Sequence, residues 1–200
     1  MKHALSIWLC LTAALGTSHA LAAGDSSAGK QKAETCAGCH GQDGNSSVPV
    51  FPKLAGQKAS YIAKQLYDFK TERRPEPTMT ALAEPMNDAD IADLSAYFAA
   101  QKVKVEKGKE NEAGKNLFHA GNPATGLPAC TGCHGPEGKG NEPAAFPVLH
   151  GQHAPYLTKT LHDFRGKSRY NDRNEVMRSI AAKLSDEEIN AVAEYLAGLE

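Results

Sequence analysis

Apolar residues recur at helical spacing in several short segments of this chain. The clearest segment starts at Ser185, which with Glu188 has the spacing of a helix capping box. The apolar positions that follow form one stripe: Ile189, Val192, Ala193, Leu196 and Leu199. A single apolar face on a capped segment predicts an amphipathic helix that packs against a core.

A matching segment lies in the first half of the chain. Asn87 can cap it, and its stripe consists of Ile91, Leu94, Tyr97 and Phe98. Ser95 falls outside this stripe and is expected to face solvent. Apolar spacing also predicts helices over roughly residues 27–35, 60–69, 111–119 and 155–164, with Gly- and Pro-rich loops between them. The chain is therefore predicted to be all-α.

The two halves of the chain repeat each other. The shared elements are an Ala-Gly-Lys triplet, a C-x-x-C-H pentapeptide, a Phe-Pro-x-Leu-x-Gly-Gln segment and a Tyr in the last helix. They begin at Ala28, Cys36, Phe51 and Tyr97 in the first half, and at Ala113, Cys130, Phe146 and Tyr195 in the second. The repeat is too long for a solenoid and predicts two tandem domains.

The repeated pentapeptide carries the most specific chemistry. C-x-x-C-H is the attachment signature of c-type haem, in which two thiols bond to the porphyrin and the His binds the iron. The motif predicts two covalently bound haem c groups with their irons. Their attachment residues are Cys36, Cys39, Cys130 and Cys133, and their first iron ligands are His40 and His134.

Two other chemistries use paired cysteines. A thioredoxin-like C-x-x-C does not account for a His directly after each pair, nor for two copies. A zinc site needs four ligands, whereas each pentapeptide offers three in a cramped segment. Both are weaker interpretations than haem attachment.

Each iron also needs a second axial ligand, or it stays open for reaction. Apart from Met1 in the predicted signal peptide, the candidate methionines are Met79, Met86 and Met177. Met177 lies 18 residues before Tyr195, and Met79 lies 18 before Tyr97, so the duplication makes these two equivalent. Met86 lies opposite an apolar residue and is interpreted as core packing. The sequence predicts Met79 on the first iron and Met177 on the second.

Several residues near the motifs are secondary candidates. Pro52 and Pro147 follow the two His residues by 12 and 13 positions, and their carbonyls could hold the free imidazole nitrogens. Candidate propionate or interdomain hydrogen-bonding residues are Tyr61, Tyr156, Gln57 and Gln152. The remaining histidines are interpreted as surface or internally satisfied residues: His119, His150, His153 and His162.

Four arginines precede the two candidate methionines: Arg73, Arg74, Arg169 and Arg173. By default they are interpreted as solvated loop charges, and the alternative is that they pair with haem propionates or with a partner protein. An insertion over residues 120–128 is expected to shape the edge of the second haem.

The first residues have the layout of a secretory signal peptide. A basic start precedes an apolar run over residues 4–15, and Ala20-Leu21-Ala22 is a cleavage signal. We therefore expect residues 1–22 to be removed and the protein to be periplasmic. The formal net charge is −1, and no basic patch indicates a nucleic-acid partner.

Taken together, an exported chain with C-x-x-C-H-G-x-x-G, F-P-x-L-x-G-Q and a Met before an amphipathic helix, all twice, resembles the di-haem cytochrome c4 family. The resemblance covers essentially all of the mature chain. It implies two tandem class I cytochrome c domains related by pseudo-twofold symmetry, each wrapped around a covalent haem c. The expected boundaries are residues 23–101 and 110–200, joined by an extended linker over 102–109.

The resemblance also implies a function. Such proteins are electron carriers rather than enzymes, commonly between a quinol–cytochrome c oxidoreductase and a terminal oxidase. We expect a monomer that is soluble or peripherally attached to a membrane. One alternative is the electron-accepting subunit of a flavocytochrome c-type dehydrogenase. A di-haem peroxidase or a gas sensor would need an open iron, which a Met for each iron disfavours.

Overall fold

The computed structural model describes residues 24–107 and 111–200. Within these ranges the chain is helical, and its only β-structure is two isolated bridges, Asn122–Leu127 and Asn141–Phe146. The first half contains α1 (Ser26–Lys32), α2 (Ala37–His40), α3 (Ala59–Lys70), α4 (Pro77–Ala83) and α5 (Asp88–Ala99). The second contains α6 (Glu112–Ala120), α7 (Thr131–His134), α8 (Ala154–Arg165), α9 (Val176–Ala181) and α10 (Asp186–Gly198). The all-α prediction is confirmed, and the predicted signal peptide lies outside the described residues.

The two halves pack in the same way around separate cores. In the first, α5 packs against α1 and α3, and α4 packs against α3. In the second, α10 packs against α6 and α8, and α9 packs against α8. The predicted capping box is present at the start of α10, where Ser185 accepts a hydrogen bond from the backbone of Glu188. The predicted cap Asn87 is also present, and with Asp90 it forms a second capping box at the start of α5. Both predicted apolar stripes face their cores.

A glycine lets the first and last helices of each half approach closely. A Cβ on Gly29 would lie 2.0 Å from the carbonyl oxygen of Asp93, and one on Gly114 would lie 2.0 Å from that of Ala191. The repeated Ala-Gly-Lys triplet therefore marks the point where α1 crosses α5 and where α6 crosses α10.

The expected exposure of Ser95 is wrong. Its side chain is only 2% exposed, and its Oγ donates a hydrogen bond to the carbonyl of Ile91 at 2.6 Å. A Ser hydroxyl in a helix can bond to the carbonyl four residues back, so it can be buried at the edge of an apolar stripe.

The described part of the linker, residues 102–107, is not helical and lies against both halves. The amide of Asn45 donates to the carbonyl of Lys102, and its Oδ1 accepts from the backbone of Lys104. The ammonium of Lys104 also lies 2.8 Å from Asp43. Near the second half, a Cβ on Gly151 would meet the side chains of Val103 and Val105. In the described residues, then, the linker is extended and packed on both halves.

Replacing Gly29 with Ala should destabilise the first half. The new Cβ would overlap the backbone of α5, and such overpacking typically costs roughly 1–3 kcal/mol. Thermal unfolding of the holo-protein measures the loss. Lys30→Ala is the control, because Lys30 is exposed on the same helix and its replacement introduces no overlap. Equal stability of the Gly29 variant and the parent would show that the helix crossing is not tight.

The carboxylate that holds the linker should titrate far below its usual range. The hydrogen bond from Lys104 lowers the pKa of Asp43 from 3.8 to about 2. Because the folded pKa lies below the unfolded value, this contact stabilises the folded chain above about pH 4 and is lost as the pH falls towards 2. An NMR titration of the Asp43 carboxyl carbon checks the midpoint. Lys104→Gln should return it towards 3.8, and an unshifted midpoint in the parent would contradict the contact.

Candidate haem-binding sites

Each C-x-x-C-H pentapeptide forms one short helix that directs its reactive groups to a single face. The backbone N–H of His40 donates to the carbonyl of Cys36 at 3.0 Å, and that of His134 donates to Cys130 at 3.0 Å. Residues at positions i, i+3 and i+4 share a helix face, so both thiols and the imidazole point the same way. In each half the first Cys is half-buried against the core, and the second is exposed.

The thiols do not have the character of a dithiol redox pair. Burial raises the pKa of the Cys36 thiol, and it raises that of Cys130 to about 11. Redox-active C-x-x-C cysteines have lowered pKa values instead. Nor do the described residues contain a group of three or more His, Cys, Asp or Glu side chains that could hold a metal ion, as a zinc site would require. Both rival chemistries are therefore disfavoured.

Both imidazoles are buried and oriented by a proline carbonyl. His40 Nδ1 lies 2.9 Å from the Pro52 oxygen, and His134 Nδ1 lies 3.0 Å from the Pro147 oxygen. A carbonyl can only accept, so each Nδ1 carries the proton and each Nε2 keeps a free lone pair. Burial lowers the pKa of both imidazoles, with a smaller opposing effect of the carbonyl hydrogen bond. The predicted role of Pro52 and Pro147 is confirmed, and each half presents one neutral imidazole nitrogen.

The two methionines lie on short helices that the sequence analysis did not predict. Met79 is in α4, which begins with Pro77 and is capped by the carboxylate of Glu76, whose Oε2 lies 2.6 Å from the Met79 backbone nitrogen. Met177 is in α9. Met79 and Met86 both pack against the core of the first half, so packing alone does not separate them. The equivalence of Met79 with Met177 still rests on the duplicated register.

An insertion before Met177 distinguishes the second half. From Phe69 to Met79 is 10 residues, whereas from Phe164 to Met177 is 13, a difference that the sequence analysis missed. The extra residues lie against α3 of the first half. The amide of Asn171 donates to Gln65 at 2.9 Å and to Asp68 at 2.6 Å. Its carbonyl accepts from Lys64 at 2.6 Å. The insertion is thus part of the domain interface.

Two glutamines form a reciprocal clamp at the centre of the interface. Gln57 Nε2 donates to the Val148 carbonyl at 3.0 Å, and its Oε1 accepts from the Val148 backbone at 2.8 Å. Gln152 makes the same pair of bonds with the backbone of Lys53, at 2.9 and 2.8 Å. Because Gln57 and Gln152 are equivalent, as are Lys53 and Val148, the clamp has the predicted pseudo-twofold symmetry. Of the two predicted roles for these glutamines, the structure places them in interdomain hydrogen bonding.

Two arginines cross the same interface. Arg74 donates to the Tyr156 hydroxyl at 3.0 Å, and Arg169 donates to the Tyr61 hydroxyl at 2.9 Å. Each guanidinium also lies over a phenylalanine of its own half, 4.7 and 4.5 Å from the ring centroid. Arg169 is only 6% exposed and Arg74 is half-buried, so the default prediction of solvated loop charges is wrong for both. Residues of the other half cover both arginines, and this burial cannot be predicted from the pattern of residues around each arginine in the sequence.

These arginines lack a negative partner among the described residues. Neither forms an ion pair with a carboxylate there, and Arg169 is bonded to neutral groups of Tyr61, Gln65 and Asn171. Burial raises the pKa of the Tyr156 hydroxyl, but the charges of Arg74 and Arg169 outweigh it and lower the pKa overall. A buried, uncompensated cation is costly. The interface therefore contains two guanidinium groups with neutral partners, with which an anionic group could pair.

The remaining histidines take no part in the two sites. His153 is buried and donates from Nε2 to the carbonyl of Ser46 at 2.9 Å, across the interface. Its Nδ1 lies 3.8 Å from Glu106 of the linker, which also lies 3.2 Å from the buried Lys53 ammonium. His119 contacts the Tyr195 hydroxyl, and His162 contacts Arg165. The Nδ1 of His150 is buried without a partner among the described residues. These histidines are surface or internally bonded, as predicted, apart from this one nitrogen of His150.

The donor set fits a haem c in each half. Two thiols and a neutral imidazole share a helix face, and a methionine lies on a separate short helix. The two uncompensated arginines match the propionates that a haem carries. None of the described helices is long and apolar enough to cross a membrane.

Comparison with known proteins agrees with this geometry. The cytochrome c family model matches residues 26–102 and 111–200. Cytochrome c4 from Azotobacter vinelandii is 47% identical over the full length of both chains, and cytochrome c4 from Pseudomonas aeruginosa is 50% identical over 98% of each. The crystal structure of reduced cytochrome c4 from Pseudomonas stutzeri superposes with a TM-score of 0.86. It has 45% identity, and the match covers 89% of this chain and all of that one.

A second kind of protein is more distant. A thiosulfate dehydrogenase electron acceptor from Stutzerimonas stutzeri is 39% identical, over 84% of this chain and 80% of that protein.

Proposed function

Because the chain belongs to the cytochrome c4 family, we propose that it carries electrons between redox proteins of the periplasm. As a member of that family it is an electron-transfer protein rather than an enzyme, and it holds two covalently bound haem c groups. The observation that most supports the carrier role is the duplicated donor set. Each half offers a buried, neutral imidazole fixed by a proline carbonyl, together with a methionine on its own helix.

The proposed ligands follow from this set. Cys36 and Cys39 would attach the first haem, with His40 and Met79 as its axial ligands. The second would be attached by Cys130 and Cys133 and ligated by His134 and Met177. Haem c supplies a one-electron iron couple, and a methionine ligand favours the reduced state. If these side chains held the iron in both oxidation states, little would have to move when an electron arrives or leaves.

We also assign the interface arginines to the haems. Arg74 and Arg169 would each stabilise propionate charge, which supplies the negative partner that the described residues do not. Tyr61 and Tyr156 hold the guanidinium groups in place. Charge compensation between the two halves would then contribute to holding them together.

The physiological partners follow from the family rather than from any contact on this chain. The proposed donor is a quinol–cytochrome c oxidoreductase and the proposed acceptor is a terminal oxidase. The signal-peptide pattern over residues 1–22 supports export to the periplasm. We propose a monomer that is soluble or peripherally attached to a membrane surface.

A second candidate function is electron acceptor of a dehydrogenase. The 39% identity with a thiosulfate dehydrogenase electron acceptor favours this role. The dehydrogenase could also be a flavoprotein, in which case the chain would be the electron-accepting subunit of a flavocytochrome c-type enzyme. Affinity purification of the tagged holo-protein distinguishes these roles. Stable co-purification with a dehydrogenase that reduces both haems on addition of its substrate would favour the second role. Reduction by the quinol-oxidising complex alone would favour the first.

The axial methionines can be tested one at a time. Met79→His should lower the midpoint potential of the first haem and leave the second unchanged, and Met177→His should do the reverse. The reason is that imidazole stabilises ferric iron relative to a thioether. Axial ligands span roughly 0.8 V across haem proteins, so the fall should be easily resolved by spectroelectrochemistry.

Met86→Leu is the matched control, because Met86 packs on the same core as Met79. It should leave both potentials unchanged. If neither histidine variant shifts a potential, the ligand assignment is wrong. A shift in the Met86 variant instead would move the assignment to that residue.

A further inference from the structure

We propose that Gln57 and Gln152 are positioning residues that act across the domain interface. Each one fixes and polarises the peptide group that orients the axial histidine of the other half. The inference rests on the proposed function, since it takes His40 and His134 as iron ligands. It assigns each glutamine a role in setting the potential of the haem in the opposite domain.

A single peptide group links His40 to Gln152. The carbonyl of Pro52 accepts from His40 Nδ1 at 2.9 Å. The N–H of that same peptide group belongs to Lys53 and donates to Gln152 Oε1 at 2.8 Å. A continuous hydrogen-bonded path therefore runs from the first imidazole, through one peptide, to a side chain of the second half.

The second half has the equivalent path. His134 Nδ1 donates to the Pro147 carbonyl at 3.0 Å, and the N–H of that peptide, on Val148, donates to Gln57 Oε1 at 2.8 Å. Both glutamines are 6% exposed, so neither path is open to water. The two paths cross the interface in opposite directions.

The orientation of each glutamine amide is fixed by its partners. Gln57 Oε1 accepts a second hydrogen bond from the backbone of Lys58 at 2.9 Å, and Gln152 Oε1 accepts from that of His153 at 3.0 Å. Each Nε2 faces a carbonyl. Exchanging oxygen and nitrogen would place an NH₂ group against two N–H donors and would lose all of these bonds. The oxygen must therefore face the peptide N–H.

This arrangement has an electronic consequence. A peptide whose N–H is bound to an acceptor has a more negative carbonyl, because hydrogen bonds in a chain polarise one another. A more negative Pro52 oxygen binds the Nδ1 proton of His40 more strongly and makes its Nε2 a stronger donor to iron. A stronger donor favours the ferric state. Removing Gln152 should therefore raise the potential of the first haem, and removing Gln57 should raise that of the second.

A purely structural role for the glutamines predicts a different result. If they only hold the two halves together, removing either one loosens the same interface. Both haems would then respond alike, or neither would. The crossed pattern, one glutamine for the opposite haem, separates positioning from adhesion.

The test uses the mature holo-protein with Gln152→Leu and Gln57→Leu, which keep the side-chain size and remove the amide. Ser60→Ala is the control, because it removes the interdomain bond from Ser60 Oγ to the Glu142 carbonyl, which is 2.6 Å long, and touches neither peptide. Spectroelectrochemistry gives the two midpoint potentials. NMR of the reduced protein gives the Nδ1 proton resonances of His40 and His134.

The expected result is crossed. Gln152→Leu raises the potential of the first haem and moves the His40 Nδ1 proton upfield, with a smaller effect on the second haem. Gln57→Leu does the reverse, and Ser60→Ala shifts neither. Equal shifts of both haems, or no shift of either, would overturn the proposal.

A second variant keeps the test decisive if a leucine variant does not fold. Gln152→Glu retains the acceptor oxygen for Lys53 N–H, so the first potential should stay unchanged or fall. A rise would overturn the proposal. Potentials that respond to Met79→His and Met177→His but not to the glutamines would reject only this inference. If the methionine variants have no effect, the ligand assignment itself fails.

Discussion

The hydrogen bond between a buried imidazole and a proline carbonyl is the constraint around which each half of this protein is arranged. It fixes the tautomer, so Nε2 is left free in the neutral imidazole. The loop that supplies the carbonyl is itself held at both ends. The backbone N–H of Leu54 donates to Gly44 at 2.7 Å, and that of Gly56 donates to Phe98 at 2.9 Å, at the end of α5. The same two bonds recur in the second half, which explains why the Phe-Pro-x-Leu-x-Gly-Gln segment is duplicated so completely.

That loop also joins the two halves. Its proline holds the histidine of its own half, its next residue offers backbone groups to the other half, and its final glutamine binds the equivalent backbone across the interface. Four buried hydrogen bonds, each with a net contribution of about 1 kcal/mol, form a modest but specific contact. The arginine–tyrosine pairs bring positive charge to the same interface, where it would suit haem propionates. Histidine orientation and domain association therefore depend on the same few residues.

The symmetry is broken outside this centre. Lys53 and His153 share Glu106 of the linker, whereas their equivalents are Val148 and Lys58. The insertion that contains Asn171 binds α3 of the first half, and the first half has no equivalent insertion to bind α8. The two proposed irons have the same ligand set, so unequal surroundings such as these are the expected source of any difference between their potentials.

The sequence predicted the features that depend on local pattern. The longer helices, the capping box at Ser185, the cap at Asn87 and the two proline carbonyls follow from local spacing, and the duplication follows from aligning the two halves. The short helix α4 could have been found, because Glu76 and Pro77 are an ordinary helix start. No such signal marks α9, which follows two residues in the left-handed region, Asn174 and Glu175.

Features that depend on the other half were not predictable in the same way. Arg169 lies in a polar loop, and it is buried by its contacts with Tyr61 and Gln65 of the first half. The prediction that Ser95 is exposed was wrong for another reason, because its hydroxyl is hydrogen-bonded within its own helix. Burial of a polar group is decided by the partner it finds, and that partner is seen only once the chain is folded.

The proposed carrier function requires both irons to be six-coordinate. The direct measurement is optical: the alkaline pyridine spectrum of the periplasmic holo-protein counts covalent haems, and carbon monoxide is then added to the reduced protein. We expect two haems per chain and an unchanged spectrum, because Met79 and Met177 would occupy the remaining axial positions. A carbon monoxide adduct on either haem would contradict it and would return a peroxidase or sensor function to consideration.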